Sequence, residues 1–149
     1  MSAVAGLIET PQPTAEALSS EDTAAVQRLL ALFTHTFDNQ QVDVFDRVFT
    51  EDAAIELRKT GRVVRGLAAI RELSLAIGAA GPDHHTLDTY LWADREGVVR
   101  GRSRYIAVLA DGSTHNGDFL DTFARTPEGW RIRLRVSAPR FPLEEGLFH

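Results

Sequence analysis

NGDFLDTFARTPEGWRIRLR, residues Asn116 to Arg135, decides the reading of this chain. Phe119, Asp121 and Phe123 alternate with Leu120, Thr122 and Ala124. After Thr126-Pro127-Glu128-Gly129, Trp130, Ile132 and Leu134 alternate with Arg131, Arg133 and Arg135. Period-two alternation on both sides of a Pro/Gly turn predicts a β-hairpin. Alternate residues of a strand point the same way, so Asp121 shares a face with Phe119 and Phe123. A carboxylate on an inward face must be paired or have its ionisation shifted. Two readings of Asp121 follow: a structural partner for Arg133 or Arg135 across the hairpin, or a catalytic acid.

Working outward, the segment from His84 onward reads as sheet, with strands at about His84 to Ala93, Val98 to Leu109, Asn116 to Arg125 and Trp130 to Ala138. The turns between them carry the Gly, Asp and Pro residues that tight connections require. Pro139 is expected to stop the last strand. Before the sheet, Ser19-Ser20-Glu21-Asp22 has the Ser-x-x-acid form of a helix start. Val26, Leu29, Leu30, Phe33 and Phe37 then recur at helical spacing. Asp38 falls at the C-terminal end of that helix, where the helix dipole disfavours a carboxylate. Asp43 can cap a short second helix. A small hairpin follows, Ala54 to Arg58 with Val63-Val64. Leu67, Ile70, Leu73 and Ile77 mark a third helix, ended by Gly81-Pro82. Helices segregated from an antiparallel meander define an α+β domain, and a curved sheet over helices leaves a hollow suited to small molecules. The expected organisation is an N-terminal arm over residues 1–18, one domain over 19–138 and a C-terminal tail over 139–149.

The chain has 149 residues, 44% hydrophobic and 25% charged, with a formal net charge of -5. This suits one globular domain with a real core. Its basic residues form no long run, which disfavours nucleic acid as a partner. There are no cysteines, so thiol nucleophiles, disulfides and Cys-based metal sites are excluded. No apolar run approaches the ~20 residues of a membrane helix. No secretory signal pattern stands at the N-terminus, and a cytoplasmic protein is the default expectation.

Residues able to carry chemistry lie on separate elements. His84 and His85 are strand neighbours, so at most one faces the hollow. The His84 set contains Thr86, Asp88, Tyr90 and Trp92; the His85 set contains Leu87, Thr89 and Leu91. Alternation alone does not choose between them. The two imidazoles diverge and no third ligand stands at metal spacing, so no metal is expected. A histidine near a carboxylate in a low-dielectric hollow acts as general base or acid near neutral pH, and a second carboxylate can orient it or act as the complementary acid. Asp38, one of these histidines and Asp121 are the candidates. Tyr105 shares a strand face with the small residues Gly101, Ser103 and Ala107, either as a packed core tyrosine or as a pocket hydroxyl. His35 and His115 read as solvent-facing and receive no role.

Phe33-x4-Asp38, Phe49-Thr50-Glu51-Asp52-Ala53, Gly66-x3-Ile70, His84-His85-x2-Asp88, Gly117-x-Phe119-x-Asp121 and Glu128-Gly129-Trp130-Arg131-Ile132-x2-Arg135 together resemble the SnoaL-like branch of the NTF2-like superfamily. That branch includes scytalone dehydratase, bile-acid dehydratase and polyketide cyclases. The resemblance runs from about Glu21 to Ser137. It implies a cone-shaped α+β barrel with N-terminal helices packed in a curved antiparallel sheet, a cofactor-free pocket and a homodimer. In dehydratase-like members a tyrosine and an aspartate on the first helix act with a strand histidine. Those positions fall on Phe33, Asp38 and His84. Phe33 stands in place of the tyrosine, and Asp88 in place of a frequent asparagine.

The resemblance therefore implies a cofactor-independent cyclase, dehydratase or isomerase acting on a small hydrophobic, polyketide-like or terpenoid-like substrate. Asp38, His84 and Asp121 are the expected catalytic residues. Phe33, His85, Asp88, Tyr105, Phe119 and Arg135 are the expected substrate-binding residues. The rival is a non-catalytic ligand-binding or assembly module. An enzyme predicts Asp38 and His84 within hydrogen-bond reach at an open hollow. A binding module predicts a filled or wholly apolar cone.

Overall fold

A computed structural model of the chain describes residues 16–142. Helix α1, Ser20–Asp38, begins where the sequence predicts: the Ser19 side chain accepts a hydrogen bond from the Asp22 N–H at 3.1 Å, satisfying one of the helix's unpaired donors. Its apolar stripe of Val26, Leu29, Leu30, Phe33 and Phe37 is buried. Each such side chain contributes about 1.5–3 kcal/mol of burial. The short second helix is a 3-10 helix, Val42–Arg47, which buries Phe45. Strands β1 (Phe49–Leu57) and β2 (Arg62–Arg65) form the small hairpin, and α2 spans Leu67–Ile77. The meander follows as β3 (Asp83–Ala93), β4 (Val99–Val108), β5 (Thr114–Thr126) and β6 (Gly129–Phe141).

The strands form one sheet in the order β2-β1-β6-β5-β4-β3. The expected α+β fold, with N-terminal helices packed in a curved sheet, is the one observed, with two details of pairing and closure. β1 runs parallel to β6, and α2 lies between the β1–β2 hairpin and the meander. The sheet is curved but unclosed, with β2 and β3 at its edges. Phe33, Phe37, Phe45 and Phe49 make a connected aromatic core on its concave side, with ring centroids 5.0 to 5.8 Å apart.

Other boundaries also move. Pro139 does not end β6; it pairs opposite Gly117, and the strand continues to Phe141. Glu16, within the expected arm, pairs with Ala93. The rest of the arm (1–15) and of the tail (143–149) lies outside the described residues. Trp130 is half-buried and packs against the edge of the core. Its indole N–H donates to Asp22 at 3.1 Å, and the Arg125 guanidinium covers the ring at 4.6 Å.

β3 carries a bulge between Leu87 and Tyr90, where Asp88 takes a positive φ of 49°. The extra residue reverses the alternation. His84 and Thr86 therefore share the inner face with Thr89 and Leu91, not with Asp88, Tyr90 and Trp92. Asp88 and Tyr90 are exposed.

Candidate active site

A cavity of about 330 Å³ opens between the helices and the concave face of the sheet. It lies at the lower end of the ligand-pocket range, which suits a compact molecule. Phe33, Phe37, Ile55, Leu73 and Phe119 make it largely apolar, and Asp38, His84, Tyr105, His115 and Arg135 supply polar groups.

Helix α1 brings Asp38 to this wall, and Gly81-Pro82 turns the chain so that His84 starts β3 beside it. The Asp38 carboxylate accepts the His84 backbone N–H through Oδ2 at 2.7 Å, and its Oδ1 lies 2.9 Å from His84 Nδ1. These two contacts supply the compensation that a carboxylate at a helix C-terminus needs. The side chains are 6% and 17% exposed, so the pair is shielded yet reachable. With a proton on Nδ1 directed at Asp38, the lone pair of the neutral ring resides on Nε2. Strand position and bulge decide the alternative left open by alternation: His84 lines the cavity, and His85 is exposed on the other face.

Arg135 and Asp121 form the second polar element. Nε and Nη2 of Arg135 donate to the two Asp121 oxygens at 2.8 and 2.7 Å. The side chains are 1% and 0% exposed. The guanidinium carbon sits 4.0 Å from the Phe33 ring centroid and 4.1 Å from that of Phe119, a cation held between two π-faces. Its remaining nitrogen, Nη1, is buried with no hydrogen-bond partner among the described residues. Arg135 lines the cavity, whereas Asp121 stands behind it. Expected as a catalytic acid, Asp121 is instead the structural partner of Arg135, because both its oxygens are engaged in the bidentate pair. Arg133, the other partner considered, is the extra residue of a bulge in β6 and reaches toward Asp52 instead.

Tyr105 is buried, stacked on Phe119 at 4.5 Å between ring centroids. It lies over Gly117, its cross-strand partner; a Cβ there would come within 2.7 Å of the phenol. Burial pushes the Tyr105 phenol above its ordinary pKa, opposed by a hydrogen bond with Ser137 and reinforced by the Asp118 charge. It therefore stays protonated at neutral pH.

His85 and Asp88, expected as substrate-binding residues, line a second, more polar hollow of about 760 Å³ between α1 and β3, which shares Asp38 and His84 with the first. The bulge turns Asp88 away from the cavity. His35 is exposed, as expected. His115 is the residue that sequence reasoning missed. It lines the cavity and packs edge-on against Tyr105, with centroids 5.6 Å apart. The signal was present: stepping the Phe119, Gly117 alternation back once reaches His115. Among the described residues, no group of three or more His, Cys, Asp or Glu side chains is placed to hold a metal ion. No helix there is long and apolar enough to cross a membrane.

An α+β sheet folded over helices, with a polar-tipped apolar cavity on its concave side, is the arrangement of the NTF2-like fold. Residues 18–136 match the SnoaL-like domain, and the chain belongs to that family, some of whose members are polyketide cyclases. It is 31% identical over 133 residues to the uncharacterized protein Rv2910c of Mycobacterium tuberculosis, covering 80% of this chain and 86% of that protein. A solved structure of Rv3472, a Mycobacterium tuberculosis protein of unknown function, is 29% identical with a TM-score of 0.70, covering 79% of this chain and 71% of that one. An NTF2-like protein with a cystatin-like fold from Novosphingobium aromaticivorans shares the fold at 21% identity, with a TM-score of 0.70 and coverage of 87% and 90%.

Proposed function

We propose that this protein is a cofactor-independent enzyme that moves protons on a small hydrophobic substrate, as a cyclase, dehydratase or isomerase of polyketide-like or terpenoid-like compounds. The observation that carries the reading is the Asp38 carboxylate holding both the backbone N–H and Nδ1 of His84 at the wall of an open cavity. A base held in one tautomer by a shielded carboxylate needs no reorientation before it accepts a proton. His84 Nε2 is the acceptor, and Asp38 steadies the imidazolium that forms. The outstanding Nη1 donor of Arg135 meets the oxygen on which negative charge develops. Asp121 fixes that guanidinium, Phe33 and Phe119 flank it, and Tyr105 adds a protonated hydroxyl to the wall. A purely binding module has no use for an oriented base beside an unpartnered buried donor.

The test is solvent-deuterium incorporation, followed by NMR, across a panel of cyclic enones and β-hydroxyketones. Exchange at an activated carbon is expected with the parent protein and lost in both Asp38→Asn and His84→Ala, with folding intact. The double variant should be little worse than either single one. Equal exchange in parent and both variants would remove the enzyme reading.

A further inference from the structure

We infer that Gln40 is a positioning residue for the Asp38–His84 dyad: its side-chain amide joins the residue that carries the carboxylate to the turn that delivers the histidine. The inference rests on the proton-transfer reading above, since the order of that dyad is what Gln40 serves.

The backbone gives the first sign. Gln40 stands directly after the Asn39 cap of α1 and adopts a positive φ of 52°. Its N–H donates to the Phe37 carbonyl at 3.2 Å, and the Gln41 N–H donates to the Thr36 carbonyl at 2.9 Å. This pair of bonds closes a helix through a left-handed residue, a place usually held by glycine and sometimes by asparagine. A larger residue is strained there, and such strain persists only where the surroundings hold it. At Gln40 the side chain itself supplies the hold.

Closure of this kind leaves the Asp38 carbonyl oxygen without a main-chain donor. Gln40 Nε2 donates to it at 2.6 Å and to the Gly78 carbonyl at 3.0 Å. Both acceptors are carbonyls, so the amide nitrogen faces them and both of its hydrogens are engaged. Gly78 caps α2, and its carbonyl also accepts the Gly81 N–H at 3.0 Å. From there Gly81-Pro82 leads into β3 and His84. One neutral amide thus sits between two helix C-termini, whose partial negative charges would otherwise repel. Ser74, fully buried in α2, donates to the Phe37 carbonyl at 2.9 Å and ties the two helices together ahead of the turn. Gln40 reaches the turn itself. Half-buried at the cavity wall, it fixes the junction that both Asp38–His84 contacts span. Without that junction the carboxylate no longer sets the tautomer of the ring.

The experiment is nitrogen-15 NMR of the full-length protein at about pH 8.5, where an ordinary imidazole is neutral. The parent should carry the His84 ring hydrogen on Nδ1. Gln40→Gly relaxes the left-handed backbone and should melt close to the parent. Its ratio of Nδ1–H to Nε2–H tautomer at His84 should nevertheless fall about tenfold, and amide exchange at His84 should rise about tenfold, as loss of two ordinary hydrogen bonds allows. Amides of β4 and β5 should keep their rates. Gln40→Lys, whose ammonium can donate to carbonyls at a helix C-terminus, should restore both readings to within about threefold of the parent. A residue that merely capped the helix would move the melting temperature and leave the His84 tautomer unchanged.

A parent-like tautomer and exchange rate in Gln40→Gly would overturn the inference and leave the dyad reading standing. A loss in Gln40→Gly that Gln40→Lys does not restore would assign the effect to the backbone instead of the amide, and overturn it as well. Should Gln40→Gly fail to fold, the parent decides: Gln40 side-chain hydrogens that exchange as fast as those of free glutamine overturn it. If the parent His84 ring carries its hydrogen on Nε2, the dyad reading and this inference fall together.

Discussion

Asp121→Ala removes the anion from a guanidinium that is 1% exposed, flanked by two phenyl rings and already carrying one unpartnered nitrogen. Three of the five N–H donors of Arg135 reside on Nε and Nη2, the two nitrogens that bind Asp121. Their loss leaves a buried charge stabilised only by the aromatic faces, a contribution of about 2 kcal/mol at best. Breaking a buried ion pair on one side costs about 3–5 kcal/mol, so the variant should lose that much stability. For a domain of this size, that lowers the melting temperature by roughly 10 °C or more. Thermal and urea unfolding followed by circular dichroism measure both quantities. The double substitution Asp121→Leu with Arg135→Met restores packing without charge and should recover most of the loss. A cost below about 1 kcal/mol for Asp121→Ala would mean that water reaches the pair, and the account of Arg135 as a desolvated, pre-aimed donor would be wrong.

Gly117→Ala places a Cβ against the Ala138 carbonyl oxygen and 2.7 Å from the Tyr105 ring; it should cost about 1–3 kcal/mol on thermal unfolding, and unchanged stability would contradict the close packing of that phenol. Tyr105 should ionise above the ordinary tyrosine value of 10.0, seen as a late ultraviolet transition that Tyr105→Phe removes. Because its folded pKa is raised, its contribution to stability is complete below the unfolded value and is lost as pH climbs from there through the folded value. The exposed outer-face residues Leu87, Tyr90, Ile106 and Val108 form an apolar surface suited to a homodimer, which sedimentation at micromolar concentration should detect and Ile106→Asp should dissociate. A monomeric parent protein would remove that expectation.

Local periodicity explains what was legible. The cap at Ser19, the stripe of α1 and the β5–β6 hairpin are short-range patterns, and each stands close to its expected place. Asp38 and His84 come together as their positions at the two element ends suggest. Non-local pairing was not legible: nothing in Phe49–Leu57 announces that it lies parallel to β6. Bulges defeated alternation twice. At Asp88 a non-glycine residue adopts a positive φ, which has no marker in the sequence. At Arg133 an inserted residue decides which arginine meets Asp121. His115 was lost to a boundary two residues late, since β5 begins at Thr114 rather than Asn116.

The Asp38 carboxylate binds a main-chain hydrogen of the same histidine whose ring it orients. Amide exchange at His84 is therefore a clock for the site, slow while helix end and strand start remain joined and fast once they part. That rate can be read before any substrate is known. It also separates two kinds of inactive variant: those in which the dyad has come apart, and those in which it is intact but has lost the group that completes the chemistry.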